Sequence, residues 1–201
     1  MEDRYRKYKM KYAVLKRDTE NVTVFTNEDL ADVPTVRDRL YRLLDTLDVR
    51  SPVFVFDIHN TTEYNDGEID ADIEKFINDH HAQYTILFLS FDGNAERILH
   101  NAQILNDHSE IFRRIPKIFI KRRVKGLILR LVWEYLERKG AVTTPGIVFV
   151  DDNVHNIRDA EKVLDPSSAI LFHYGKHSSH GGKYDDFTKI YELIPARDIG
   201  T

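Results

Sequence analysis

Polar side chains that could react or bind metal follow several apolar segments of this chain. They are an acid after one segment, a hydroxyl ending the next, a lysine opening a helix and an acid pair after a later segment: Asp57, Ser90, Lys125, Asp151 and Asp152. Because ligands bind at the carboxyl ends of the strands in open α/β sheets, we expect these side chains to lie close together there. An acid, a hydroxyl, an ammonium group and an acid pair are together the groups that phosphoryl transfer requires.

Each of these groups has a distinct use in such a reaction. Phosphoryl transfer needs a nucleophile, a metal ion that bridges it to the phosphate, and donors or cations for the non-bridging oxygens. Carboxylate oxygens suit Mg²⁺, so Asp57 with Asp151 or Asp152 is a candidate magnesium site. Lys125 would supply positive charge and Ser90 one hydrogen bond. The alternative for Asp57 alone is that it caps a turn.

Other lysines could supply the same positive charge. Lys117 and Lys121 are alternatives to Lys125, and Lys121 begins the basic run 121–123 that precedes the helix of Lys125. We favour Lys125, because the start of a helix also favours anions. For the rest of the basic run we expect a solvated loop.

Strand and helix patterns alternate along the chain and predict how these residues are positioned. Apolar runs predict strands at 21–26, 53–56, 84–90, 117–121, 147–150 and 169–173. Periodic patterns predict helices at 35–47, 69–77, 94–106, 124–139, 151–166 and 184–194, with Thr35 and Asp38 as a capping box. This alternation predicts an α/β fold, a three-layer Rossmann-like parallel sheet with helices on both faces. Residues 1–50 are interpreted as a helical lead-in packed on the core, and 51–201 as the catalytic domain.

Composition limits the classes of protein to which the chain can belong. Its 201 residues are 42% hydrophobic and 31% charged, which is typical of a globular protein with one substantial core. The absence of cysteine excludes disulfides, thiolate metal sites and cysteine nucleophiles. A net charge of -4 means that any basic surface must be local. Without a long apolar segment or a signal peptide, we expect no membrane partner and a cytoplasmic location.

Four motifs in the chain resemble, in order, those of the haloacid dehalogenase-like superfamily of phosphohydrolases. They are Asp57-Ile58-His59-Asn60-Thr61, Phe88-Leu89-Ser90, Lys125-Gly126 and Phe149-Val150-Asp151-Asp152-Asn153, within roughly residues 52 to 175. The resemblance implies that Asp57 is a nucleophile forming an aspartyl-phosphate. It also implies that Thr61, Ser90 and Lys125 bind phosphate, and that Mg²⁺ is held by carboxylates and one backbone carbonyl: Asp57, Asp151, Asp152 and the carbonyl of His59.

His59 departs from the family pattern. Phosphatases of the family usually have a second Asp at this position, which protonates the leaving group and then activates water. An imidazole can also give and take a proton near neutral pH. The resemblance therefore implies a Mg²⁺-dependent phosphomonoester hydrolase with Asp57, His59 and Lys125 as catalytic residues. The alternative is a degenerate member that binds metal or a phosphorylated ligand, or serves as a scaffold.

The short connections between the motifs bear on the substrate. The segments from Asp57 to Ser90 and from Ser90 to Lys125 leave no room for a large cap domain. Uncapped relatives commonly act on phosphorylated proteins or nucleic-acid ends, or use a partner subunit as a lid. We therefore expect a macromolecular phosphorylated substrate, or a homo-oligomer that covers the site.

Two further segments carry possible binding groups. Tyr5, Tyr8 and Tyr12 lie on one face of a basic helical pattern, which favours an amphipathic helix on the domain or a partner over a nucleic-acid-binding arm. This pattern is similar to lead-ins of proteins from large DNA viruses, which would imply a host cytoplasm or a virion. A Gly-rich loop holds three histidines that could bind a metal but more simply form a rim beside Asp57: His173, His177 and His180.

Overall fold

The computed structural model of the protein describes residues 21–65, 67–177 and 185–193. Its strands are β1 Val22–Phe25, β2 Val53–Phe56, β3 Glu63–Tyr64, β4 Glu68–Ile69, β5 Ile86–Phe91, β6 Lys117–Ile120, β7 Ile147–Asp151 and β8 Ala169–His173. Its α-helices are α1 Val33–Asp45, α2 Ala71–His80, α3 Ala95–His108, α4 Glu110–Arg114, α5 Lys125–Lys139 and α6 Val154–Glu161. Two 3-10 helices span Asp29–Ala31 and Phe187–Leu193.

Six of the strands form one parallel sheet in the order β1-β6-β5-β2-β7-β8, and helices flank it. The predicted Rossmann-like α/β fold is therefore confirmed. The short strands β3 and β4 form a separate antiparallel hairpin. Because β2 lies between β5 and β7, the carboxyl end of β2 has neighbours on both sides.

Apolar side chains fill the space on both faces of the sheet. In β2, Val53 and Val55 face one core and Phe54 and Phe56 face the other, because successive side chains of a strand alternate in direction. The first core contains α1, α5 and α6, and the second contains α2, α3 and α4. A strand covered on both faces is apolar throughout, which is why 53–56 is a continuous apolar run.

The predicted lead-in contributes to this same sheet. β1 pairs with β6 in parallel, with Val22 opposite Lys117, and α1 packs in the core that contains α5. Residues 21–50 are thus continuous with the core of the later chain. The N-terminal pattern of Tyr5, Tyr8 and Tyr12 lies outside the described residues.

Several predicted boundaries need correction. α1 begins at Val33 rather than Thr35, and Asp32 is its N-cap, because Pro34 suits the first turn of a helix. The Thr35 hydroxyl donates to Asp32, so the Thr35 and Asp38 capping box is wrong. The helix predicted at 151–166 is α6, which is shorter. The closing element is a 3-10 helix, and the predicted ends at 184 and 194 lie outside the described residues.

Other features match the sequence. α5 ends where predicted, because Gly140 adopts a left-handed conformation with φ of 63°. No helix in the described ranges has both the length and the apolar character needed to cross a membrane.

Candidate active site

Three charged side chains meet at the carboxyl edge of the sheet. The pairing of Phe56 with Val150 in β2 and β7 brings Asp57 beside Asp151, and Lys125 opens α5 next to them. Lys125 Nζ donates to Asp57 Oδ1 at 2.5 Å and to Asp151 Oδ2 at 2.6 Å. All three side chains are almost fully buried. A single ammonium group therefore bridges two carboxylates that come from separate strands.

Burial and charge act in opposite directions on this group. Burial raises the pKa of Asp57 to about 7, against the lowering effect of the Lys125 ammonium, while the carboxylates of Asp151 and Asp152 raise it further. Burial alone would lower the pKa of Lys125, but the carboxylates of Asp151 and Asp57 outweigh it, so that pKa is raised. Lys125 is thus held as a cation among three acids, and the cluster keeps an excess of negative charge.

Two threonines tie the loop after β2 to the loop after β7. Thr61 Oγ1 accepts a hydrogen bond from the Asp152 backbone N–H at 3.0 Å and donates to Asp57 Oδ2 at 3.4 Å. Thr62 Oγ1 donates to the Asp57 carbonyl at 2.6 Å. Both threonines are fully buried. They fix the position of Asp57 relative to the acid pair.

The acid cluster has the composition and spacing of a metal site. One carboxylate oxygen from each of Asp57, Asp151 and Asp152 lies within 4.8 Å of the others, and all three residues are buried. These side chains could therefore hold a metal ion, since hard divalent cations take several carboxylate oxygens. Both oxygens of Asp151 already accept hydrogen bonds from Lys125, the Asn153 backbone or the Asn156 amide. Because Asp57 Oδ2 accepts, from the described residues, only the long bond from Thr61, it is the better placed of these two for a metal.

His59 contacts a different set of residues. Its Nδ1 lies 3.2 Å from Glu63 Oε2, and the Asn101 amide nitrogen lies 2.8 Å from its Nε2. Asp92 Oδ2 is 3.8 Å from the same Nε2, and the His59 side chain is 29% exposed. The hydrogen bond to Glu63 raises the pKa of His59 despite partial burial. The imidazole is therefore held through Nδ1 by the β3–β4 hairpin and through Nε2 by α3.

Ser90 is the predicted residue least integrated into the cluster. It lies in β5 two residues beyond Phe88, the partner of Phe56, and it is buried. Among the described residues, Asp57, Thr61 and Lys125 make no hydrogen bond to its hydroxyl. The structure thus brings together Asp57, Thr61, Lys125, Asp151 and Asp152, whereas Ser90 shares only the edge of the sheet.

The alternative lysines lie elsewhere. Lys117 begins β6, at the opposite end of the sheet from Asp57, and its Nζ donates to backbone carbonyls at the end of α4. Lys121 follows the carboxyl end of β6 and is partly buried. Lys125 is the one of these three lysines that contacts the acids.

The predicted histidine rim forms contacts of its own. His173 Nε2 lies 2.9 Å from the Asp152 carbonyl, at the carboxyl edge of the sheet. His177 Nε2 lies 2.6 Å from Asp70 Oδ2, and the His177 ring stacks on Tyr64 of the β3–β4 hairpin with ring centroids 3.6 Å apart. These two histidines have separate partners and form no shared metal site. His180 lies outside the described residues.

Asp70 joins three parts of the site, and it was not among the residues predicted from the sequence. It is buried, caps the N-terminus of α2, and accepts hydrogen bonds from the Tyr174 hydroxyl at 3.1 Å. Its backbone N–H donates to the Thr62 carbonyl at 2.9 Å. Asp70 therefore contacts the loop after β2 through its backbone, and α2 and the loop after β8 through its carboxylate.

Comparison with known proteins adds no relative. No protein-family model, curated protein or solved structure matches this chain significantly.

Proposed function

We propose that this chain is a Mg²⁺-dependent phosphomonoester hydrolase of the haloacid dehalogenase-like type. The observation that carries the proposal is the buried cluster in which Lys125 bridges Asp57 and Asp151 while Asp152 lies within metal-binding distance of both. The order of the four motifs along the chain supports the same reading. Because a buried ion pair adds little stability over apolar residues in the same place, the cluster is better explained by a functional role.

In this proposal Asp57 is the nucleophile. A carboxylate oxygen of Asp57 forms a bond to phosphorus while the bond from phosphorus to the ester oxygen breaks, which gives an aspartyl-phosphate and an alcohol. Lys125 favours the ionised form of Asp57 against the effect of burial and orients one of its oxygens, and Thr61 contacts the other. Mg²⁺, held by Asp57 and Asp152 with Asp151 and the His59 carbonyl as further candidates, would neutralise charge between the carboxylate and the phosphate.

His59 is the proposed proton carrier. It would give a proton to the leaving oxygen and then take one from the water that hydrolyses the aspartyl-phosphate, releasing inorganic phosphate. Glu63 and Asn101 restrict the orientation of the imidazole from its two nitrogens. Ser90 would donate to a phosphate oxygen from the adjoining strand.

We expect the substrate to be a phosphorylated macromolecule. The connections between β2, β5 and β6 consist of the β3–β4 hairpin and the helices α2, α3 and α4. A site bordered by such short connections would admit a protein or a nucleic-acid end, and a second copy of the chain could cover it.

The decisive experiment measures release of p-nitrophenol from p-nitrophenyl phosphate with Mg²⁺ and with chelator. We expect hydrolysis that requires Mg²⁺ and is abolished by Asp57→Asn, because an amide is a poor nucleophile. The matched control is Asp38→Asn, which changes an exposed acid on α1 and should leave the rate unchanged. Equal activity of Asp57→Asn and wild type would refute the proposal.

A second candidate function is a non-hydrolytic protein that binds metal and a phosphorylated ligand. The observation that favours it is His59, which stands where phosphatases of the family usually have an Asp. Its side chain already contacts Glu63. Under this alternative the wild type binds Mg²⁺ but releases no phosphate, and His59→Asp creates hydrolysis. Turnover by the wild type, lost in His59→Ala, would exclude it.

A further inference from the structure

A basic segment follows β6 at the same edge of the sheet as Asp57. Ile120 ends β6 and pairs with Phe91, the last residue of β5, and the Asp92 backbone N–H donates to the Ile120 carbonyl at 3.0 Å. The segment 121–123, Lys-Arg-Arg, comes next. Since β5 is the neighbour of β2, this segment borders the candidate active site on the β5 side.

The charges of this segment are not compensated by nearby acids. Arg122 and Arg123 are exposed and Lys121 is partly buried, and none of the three forms an ion pair with any acid that the structure describes. Other arginines of the chain do pair with carboxylates: Arg37, Arg39, Arg50, Arg113 and Arg114. On a chain with a net charge of -4, three adjacent cations without an ion-pair partner among the described acids form a local positive surface.

An aromatic ring and a further arginine extend this surface. The Arg123 guanidinium carbon lies 5.6 Å from the centroid of the Phe91 ring. Arg97, on α3, is 61% exposed; its Nε lies 3.2 Å from Asp92, and its terminal nitrogen lies 3.3 Å from His59 Nε2. Arg97 therefore contacts both the proposed proton carrier and Asp92, whose backbone N–H donates to the last residue of β6.

We propose that this basic rim, formed by Phe91, Arg97, Lys121, Arg122 and Arg123, binds the phosphate backbone of a single-stranded nucleic acid. In the proposed function, Lys125 and a metal held by the acids bind the phosphate that reacts. The cations of the rim are therefore available to bind other phosphates. A ligand that uses them carries further phosphates at short intervals. A peptide with a single phosphate would leave the rim without counter-charge.

The mixture of groups on the rim favours a single strand. Unpaired bases stack on aromatic rings and on guanidinium planes, and the exposed Arg123 guanidinium, held 5.6 Å from the Phe91 centroid, offers such a plane beside two further cations. The acids Asp151 and Asp152 lie on the other side of Asp57 and would repel a polyanion. The strand would therefore approach Asp57 from the β6 side. Dephosphorylation of the bound end rests on the proposed function. Binding to the rim does not.

The test measures binding of a fluorescein-labelled oligothymidylate with a 3′ phosphate by fluorescence anisotropy, over a range of salt concentrations. For Arg122→Ala/Arg123→Ala we expect at least about a tenfold loss of affinity. We also expect the slope of log affinity against log salt to fall by about 1.4, because each contact to a single strand contributes about 0.7. The matched control is Arg113→Ala/Arg114→Ala, an adjacent pair before β6 at the other end of the sheet, which should change neither quantity much.

Equal losses of affinity in the two double variants would overturn the proposal, because they would show that binding depends only on the net charge of the protein. Tighter binding of a phosphoserine peptide than of the oligonucleotide would also overturn it, as would no binding at low salt. Hydrolysis of p-nitrophenyl phosphate by the same proteins separates the two proposals. Intact hydrolysis without oligonucleotide binding refutes the rim only, and rim-dependent binding without hydrolysis refutes the proposed function only.

Discussion

Two lysines are completely enclosed at opposite ends of the sheet, and their surroundings have opposite effects. Lys125 lies at the carboxyl edge between Asp57 and Asp151, whose charges raise its pKa above the ordinary value despite burial. Lys117 lies at the other end, where its ammonium donates to the carbonyls of Phe112, Arg113 and Ile115. Burial, together with a smaller effect of the nearby Arg113 charge, lowers its pKa to about 7.

The comparison shows that burial of a lysine does not by itself indicate a functional role. Carbonyl oxygens satisfy the hydrogen bonds of an ammonium group but carry only partial charge, so they offset little of its desolvation. Carboxylates supply full opposite charge. Lys117 is thus explained as a cap for the last carbonyls of α4. In contrast, Lys125 and the acids around it stabilise each other's charged forms.

The largest expected effect comes from removing the cation at the carboxyl edge. Lys125→Met should lower the free energy of unfolding by about 3–5 kcal/mol at neutral pH without metal, because it leaves buried carboxylates unpaired. Urea denaturation in the presence of a chelator measures this. Added Mg²⁺ should recover part of the loss, since it replaces the missing positive charge. A loss below about 1 kcal/mol would mean that the acids are neutral without Lys125.

The second prediction concerns the pH dependence of stability at Lys117. Between a pKa of about 7 in the folded protein and the ordinary 10.5, the unfolded chain binds the proton and the folded chain does not, so stability rises with pH. From pH 7 to pH 9 this contributes a gain of about 2 kcal/mol, which Lys117→Met should lack. Urea denaturation of both proteins at the two pH values gives the difference. Identical pH dependence would show that the three carbonyls keep Lys117 charged.

The smallest of these effects concerns Thr61, which links the two loops beside Lys125. Thr61→Val keeps the shape but removes the acceptor for the buried Asp152 N–H, which should cost about 1 kcal/mol. Thr61→Ser, which retains the hydroxyl, is the matched control. Thermal unfolding measures both variants. If Val and Ser destabilise equally, the methyl packing and not the hydrogen bond holds the loops together.

The sequence was sufficient for the central strands of the sheet and for the acids at their ends. The run 53–56 is apolar throughout because β2 is covered on both faces, and this local pattern also places Asp57 at the strand end. The same reasoning placed Asp151 at the carboxyl end of β7. Lys125 could be chosen over Lys117 because a helix start differs from a strand start in its local sequence.

The surroundings of His59 could not be predicted in the same way. Glu63 belongs to the hairpin, Asp92 follows β5 and Asn101 lies in α3, so only the folded chain brings them to the imidazole. The pairing of β1 with β6 is also non-local and has no signal in residues 21–26. Asp70 looks like an ordinary N-cap in the sequence, since its partner Tyr174 lies 104 positions away.

The order of strands in the sheet also determines when the acid cluster can form. β2 precedes both of its sheet neighbours in the chain, and Asp57 is separated from Lys125 by 68 positions and Lys125 from Asp151 by 26. During synthesis from the N-terminus, Asp57 therefore leaves the ribosome well before Lys125, its ion-pair partner. Such distant pairings fold slowly because loop closure precedes the contacts that reward it. The nascent chain thus carries Asp57 without this partner until Lys125 has been made.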